Sequence, residues 1–157
     1  MHRRNLFTAA FAAAGALVAA GSRSHAETRD TAEPRKESTK DAAKVVYHLA
    51  DLEKVAFVLG NINNHLTGVG GPEKVTIALV VHGPALRAFH SAGANPETAR
   101  RVAGFVKSDV KFNACGNTMR GQNVTLKELL PGFTVAERGG VVLIAELQAQ
   151  GYVYLRP

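Results

Sequence analysis

The chain changes hydrophobic period several times after residue 44, and each change marks an element. Val45–Leu49 is a short β-branched run, which predicts a first strand. Ala50 and Asp51 turn the chain, and Asp51 is placed to cap the next helix. From Leu52 the apolar residues fall at Val55, Ala56, Leu59, Ile62 and Leu66, the spacing of a helix. Gly68, Val69, Gly70, Gly71 and Pro72 end it. Val75–Val81 is almost unbroken in apolar residues, as in a strand covered on both faces. His82, Gly83 and Pro84 stop that strand, and Ala85–His90 reads as a short helix. Asn95-Pro96-Glu97 opens a helix with proline in its first turn, running to about Lys107. Val110–Cys115 is a third strand, stopped by Gly116-Asn117. Thr125 with Glu128 forms a capping box for a short helix over Thr125–Leu130. Phe133–Ala136 is a fourth strand, Gly140–Gln150 a helix closed by Gly151, and Tyr152–Leu155 a fifth strand. Strands alternating with helices imply an α/β fold with a parallel sheet and helices on both of its faces.

The first 43 residues follow other rules. Arg3 and Arg4 precede an apolar run from Leu6 to Ala20, broken only by Thr8 and Gly15. Ser24-His25-Ala26 then supplies small residues where a signal peptidase cuts. The run of 15 residues falls short of the roughly 20 that span a bilayer. Residues 1–26 are therefore expected to be a signal peptide, and the product periplasmic, meeting the membrane only during export. The arginine pair resembles a twin-arginine signal, with His2 in place of the usual Ser or Thr. Residues 27–43 are charged and lack large apolar side chains, which predicts a disordered tether. One domain over 44–157 remains.

Charge changes little in this picture. Of 19 Lys and Arg, three leave with the signal, so 16 face 13 acids, a net +3. They are scattered and form no basic stripe with interleaved aromatics, which argues against nucleic acid. Gly68-Val69-Gly70-Gly71 follows a helix rather than a strand and is a weak nucleotide signal, so no cofactor is expected.

Candidate chemistry gathers where open parallel sheets bind ligands, beyond the carboxyl ends of the strands. His48, with Asp51 near it, follows strand one, His82 strand two, and Cys115 strand three. Cys115 is the single cysteine, so no disulfide can form within the chain. A lone cysteine is either a small buried hydrophobe or a reactive thiol. At Cys115 the N–H groups of Gly116 and Asn117 and the start of a helix would favour the thiolate, and the thiol is expected to be reachable by solvent. His82 reads as a base or donor beside it, or as a turn histidine bonded to backbone, and His48 carries the same two readings. Two histidines and a cysteine also admit zinc or copper, but no close ligand pair supports a metal site. His65 and His90 read as surface or helix-end residues. Asn61, Asn63 and Asn64 are unusual inside a helix. Asn63 shares a face with Leu59 and Leu66 by spacing, so it either satisfies a buried or subunit contact or marks a frayed end.

Three stretches resemble the DsrE/DsrF-like proteins: Ala56 to Asn64, Val80 to Pro84, and Val110 to Met119 with its Cys-Gly-Asn-Thr-Met run. The ending from Gly151 to Pro157 is also similar. The resemblance implies a three-layer α/β/α sandwich with a five-stranded parallel sheet ordered 4-3-2-1-5. That order would make His82 a neighbour of both His48 and Cys115. It also implies oligomers, here a homo-oligomer, and transfer of sulfur as a persulfide on Cys115 between a donor and an acceptor the sequence does not name. His82 would assist, with His48, Asp51, Gly83, Gly116 and Asn117 around the bound group. The family's sulfur relays are cytoplasmic whereas this chain carries an export signal, so its partners must differ. The alternatives are a non-catalytic small-ligand module and a metal-binding periplasmic protein.

Overall fold

A computed structural model describes residues 42–157. The signal peptide and nearly all of the tether expected from the sequence, residues 1–41, lie outside the described residues. The strands are β1 (Ala43–Leu49), β2 (Val75–Val81), β3 (Lys111–Cys115), β4 (Phe133–Ala136) and β5 (Val153–Leu155). The helices are α1 (Val55–Gly68), α2 (Pro96–Lys107), α3 (Gly116–Gln122) and α4 (Gly140–Ala149). Local signals account for several ends. The Asn95 side chain accepts the Glu97 N–H at 2.8 Å, and Pro96 opens α2. Thr125 and Glu128 form the capping box, with the Thr125 N–H donating to the Glu128 carboxylate at 2.8 Å.

Three local expectations change. The segment after His82 is a 3-10 helix over Gly83–Phe89, and the one after Thr125 is a single 3-10 turn over Leu126–Glu128. Both are short links held by backbone bonds to other loop residues; for example, the Leu130 N–H donates to the Phe89 carbonyl at 2.9 Å. Asp51 makes no side-chain cap. Its carboxylate is turned toward Arg156 at the end of the chain, 3.4 Å away.

All five strands are parallel, in the order β4-β3-β2-β1-β5. Side chains alternate between the two faces. One face presents Val45, Tyr47, Leu49, Ile77, Leu79 and Val81 to Val58, Leu59 and Ile62 of α1 and to Val102 and Phe105 of α2. The other presents Val46, Ala78 and Val80 to Ile144 of α4. The result is a three-layer α/β/α sandwich with a thick core on one side and a thin one on the other. In α1 the buried stripe is Val55, Val58, Leu59 and Ile62, while Asn63 and Asn64 are exposed. Asn63 faces outward and so satisfies no buried group, and the helix continues past it to Gly68 rather than fraying there.

The chain uses α4 to cross from β4 at one edge of the sheet to β5 at the other. This crossing covers the face opposite α1 and α2, as right-handed connections require when the direction of travel reverses. It also starts α4 beside the carboxyl end of β3, where Cys115 sits.

Candidate functional site

Cys115 ends β3 and directly precedes α3. Its residue is buried, with 6% of its surface exposed, which corrects the expectation of an openly accessible thiol. The cover comes from the start of α4. A Cβ added at Gly140 would stand 3.1 Å from a Val80 methyl and 3.2 Å from the Cys115 Cβ, so any larger residue would press on both and glycine suits this close approach.

Four donors converge on Sγ. They are the backbone N–H groups of Gly140, Thr118 and Asn117 and the Thr118 hydroxyl. Burial pushes the thiol up, but these hydrogen bonds outweigh it and leave the thiol below its ordinary value. No cationic side chain contributes. The thiolate is favoured by peptide dipoles at the starts of two helices, of which only one adjoins Cys115 in sequence.

The other expected residues divide by role. Gly83 has φ +57°, and its N–H donates to Thr118 Oγ1 at 2.9 Å, while its carbonyl accepts from Gln122 at 2.8 Å. It therefore holds Thr118 rather than touching the thiol. Gly116 packs against β4: an added Cβ would meet the Ala136 carbonyl oxygen at 3.1 Å. Asn117 supplies its N–H to Sγ and accepts from Arg120 through its side chain.

Val81 pairs with Ala114, so His82 and Cys115 stand at the ends of adjacent strands. The hydrogen-bond partner of the His82 ring is His48, through Nε2 of each, and no bond joins His82 to Sγ. The two rings stack at 4.6 Å between centroids. His48 Nδ1 meets the Tyr154 hydroxyl at 2.6 Å. The two backbone-bonded histidine readings are thus replaced by a ring-to-ring pair. His65 bonds Tyr47 at 2.9 Å and His90 bonds Gln122 at 2.9 Å, so each holds a helix or loop in place. Among the described residues, no group of three or more His, Cys, Asp or Glu side chains is placed to hold a metal ion.

Burial, then neighbouring His82 and Arg156, lowers His48 to about 4 against the opposing pull of Asp51. Burial and Arg156 also lower His82. Unfolded, both rings take up protons near pH 6.5. Between that pH and about 4 the unfolded chain binds more protons, so stability is complete above pH 6.5 and falls as the pH drops. Both rings are partly exposed, and solvent screening reduces the effect to about 1 kcal/mol. A Tm lower by about 4–8 °C at pH 4.5 than at pH 7 is the expected result. His48→Gln should flatten that dependence, and an equal slope in the variant would assign it to other groups.

Thr118, Gly140 and Tyr154 were not singled out from the sequence. Thr118 had a signal, since a residue three beyond a strand-ending cysteine lies in the first helical turn. Gly139-Gly140 before an apolar helix had a weaker one. Tyr154 had none. A groove of about 880 Å³ lies elsewhere, between α1 and α2, lined in part by Asn63, Asn64, Arg100 and Arg101. None of Cys115, His48 and His82 lines it, so the site is assigned on the chemistry around Sγ.

No protein-family model and no curated protein matches the sequence. Solved structures do. MTH1491 from Methanobacterium thermoautotrophicum, a protein of unknown function, superposes with a TM-score of 0.64 at 26% identity. The match covers 73% of this chain and 99% of that one. The ychN protein from E. coli superposes with a TM-score of 0.53 at 11% identity, over 73% of this chain and 99% of its own. What the likeness shows is the fold: residues 42–157 form a five-stranded parallel α/β sandwich with structural neighbours of the DsrE-like type.

Proposed function

We propose that this chain is an exported sulfur carrier that holds sulfane sulfur as a persulfide on Cys115. The observation that carries the reading is the convergence of four hydrogen-bond donors on the sulfur of the only cysteine. Thiolate is the attacking species, and donors that favour the thiol anion favour a persulfide anion in the same place. With thiosulfate as donor, the Cys115 thiolate attacks the sulfane sulfur. One S–S bond forms, the bond to the sulfonate sulfur breaks, and sulfite leaves with its electron pair. No second cysteine exists to resolve the product within the chain, so the persulfide waits for an acceptor thiol.

Intact mass after incubation with thiosulfate or polysulfide should show the gain of one sulfur atom, reversed by a thiol reductant and absent in Cys115→Ser. A thiol that takes up sulfur only after unfolding would remove the reading, because the slight exposure of Cys115 would then be a closed core.

The signal-like sequence of residues 1–26 supports a periplasmic location, where the donor and acceptor are to be sought. We also propose that the mature chain is a homo-oligomer. Val141 of α4 is 66% exposed and Val153 of the edge strand β5 is 60% exposed, and Val142 beside the first and Tyr154 beside the second are exposed as well. Light scattering at micromolar concentration should give a multiple of the chain mass, and a clean monomer refutes it.

A further inference from the structure

We propose that Asn117 and Arg120 form a receiving site for the anionic end of the sulfur donor, which makes that donor a thiosulfate rather than a thiol persulfide. The inference deepens the sulfur-carrier reading and rests on it, because Cys115 must be the group that takes the sulfur.

The mouth of the thiol is built around Gly139. The Asn117 backbone N–H bonds Sγ, which ties this residue to the sulfur. Its side chain lies over Gly139, where a Cβ would stand 2.7 Å from Asn117 Nδ2 and 4.0 Å from Cys115 Sγ. Gly139 has φ +100°, a conformation that favours glycine, so the space between amide and sulfur stays open. Arg120 decides which end of the amide faces that space. A guanidinium only donates, and Arg120 Nη2 bonds Asn117 Oδ1. The amide oxygen is thereby spent on arginine, and the amino group is turned toward Gly139. No acceptor takes Nδ2 among the described residues.

Arg120 also brings charge. Its Nη1 lies 3.5 Å from where a Cβ would stand on Gly116, the residue after Cys115. None of the ion pairs among the described residues involves Arg120. Asn117 and Arg120 are both exposed, so an anion in solution can reach them. The four donors on Sγ are neutral groups, and Arg120 is not one of them. Its charge is therefore left for the donor.

The chemistry calls for that charge. The thiolate carries one negative charge and thiosulfate two, and they repel as they approach. With the sulfane sulfur against Sγ, the sulfonate lies one S–S bond, about 2 Å, further out. The open space over Gly139 receives it there. Its oxygens accept from Asn117 Nδ2 and face the planar guanidinium, whose fork of donors suits an oxyanion. Attack forms the Sγ–S bond, breaks the bond to the sulfonate sulfur, and releases sulfite with the electron pair. Negative charge grows on the sulfonate oxygens as that bond breaks, so the same donors hold the leaving group more tightly than the substrate. A thiol persulfide has no oxygens to place there.

The test uses two alkylating reagents of nearly one size, neutral iodoacetamide and anionic iodoacetate, on the mature protein with its thiol fully ionised. Iodoacetate carries its carboxylate one bond beyond the attacked atom, as thiosulfate carries its sulfonate. Arg120→Gln keeps a donor for Asn117 Oδ1 and removes the charge. The ratio of the iodoacetate rate to the iodoacetamide rate should fall about fivefold, the effect of one charge about 4 Å away in water. Arg120→Lys should retain most of the ratio. Asn117→Asp keeps the backbone N–H on Sγ, neutralises Arg120 and should also lower the ratio. A ratio unmoved in Arg120→Gln, or two rates that fall together, would overturn the receiving site. Neither reagent delivers sulfur. A ratio that moves in a protein that gains no mass from thiosulfate would keep the anion site and remove the carrier reading. Loading from thiosulfate as fast in Arg120→Gln as in the wild type would keep the carrier and remove the anion site.

Discussion

Thr118→Val should lift the pH midpoint of Cys115 alkylation. The Gly83 N–H occupies one lone pair of Thr118 Oγ1 at 2.9 Å, which leaves the hydroxyl hydrogen for Sγ. Valine keeps the shape and removes that hydrogen. A hydrogen bond to a charged group contributes about 1.5–3 kcal/mol. Its loss lowers the thiolate-to-thiol ratio at a given pH roughly ten- to hundredfold, about 1.4 kcal/mol per tenfold. The N–H groups of Gly140, Asn117 and Thr118 remain, so the thiol should still react in the folded protein. Thr118→Ser restores the hydroxyl and should restore the midpoint. Alkylation rate measured against pH decides the matter, and an unchanged midpoint in Thr118→Val would mean that backbone alone holds the thiolate.

The largest loss of stability is expected at Phe112. This residue lies on β3, an inner strand between β2 and β4, three residues before the thiol, with none of its surface exposed. Its ring packs on Phe133 at 5.2 Å between centroids, and Phe133 packs on Phe89 at the same separation. The three rings tie β3, β4 and the 3-10 helix after β2 into one cluster. Phe112→Ala removes the part of that packing held by β3 and leaves a cavity that strands on both sides keep from collapsing. Substitutions of this kind cost about 3–5 kcal/mol, against a total of about 5–15 for a whole domain. Urea unfolding should show a midpoint lowered by roughly a fifth or more at unchanged slope. A loss under about 1 kcal/mol would mean that the cluster repacks around the gap.

These two sites show different parts of the problem. Phe112 follows from pattern alone, since it alternates with Lys111 and Asn113 and so falls with Val110 and Ala114 on the apolar face of its strand. Thr118 depends on a turn 35 residues earlier that supplies the Gly83 N–H. The same division runs through the molecule. The five strands and their helices were legible because period and punctuation are local. The strand order and the three layers followed from the resemblance and are borne out. The 3-10 character of Gly83–Phe89 was not legible, because the ends of that segment are fixed by contacts with Ala50 and Leu130 rather than by its own residues.

By itself the sequence determined the alternation of elements, the placing of His48, His82 and Cys115 at the carboxyl ends of strands one, two and three, and the uniqueness of the thiol. Each of these needs only neighbours along the chain. Tertiary structure decided what surrounds the sulfur and what the histidines touch. The Gly140 N–H reaches Sγ because the crossing from β4 to β5 starts α4 over the end of β3. Tyr154 meets His48 across 106 residues because β5 returns to the edge beside β1. The exposure of the thiol, its donors and the pairing of the two rings are set by strand order and by the handedness of crossovers. Those constrain the whole chain at once and leave no mark in the spacing of residues.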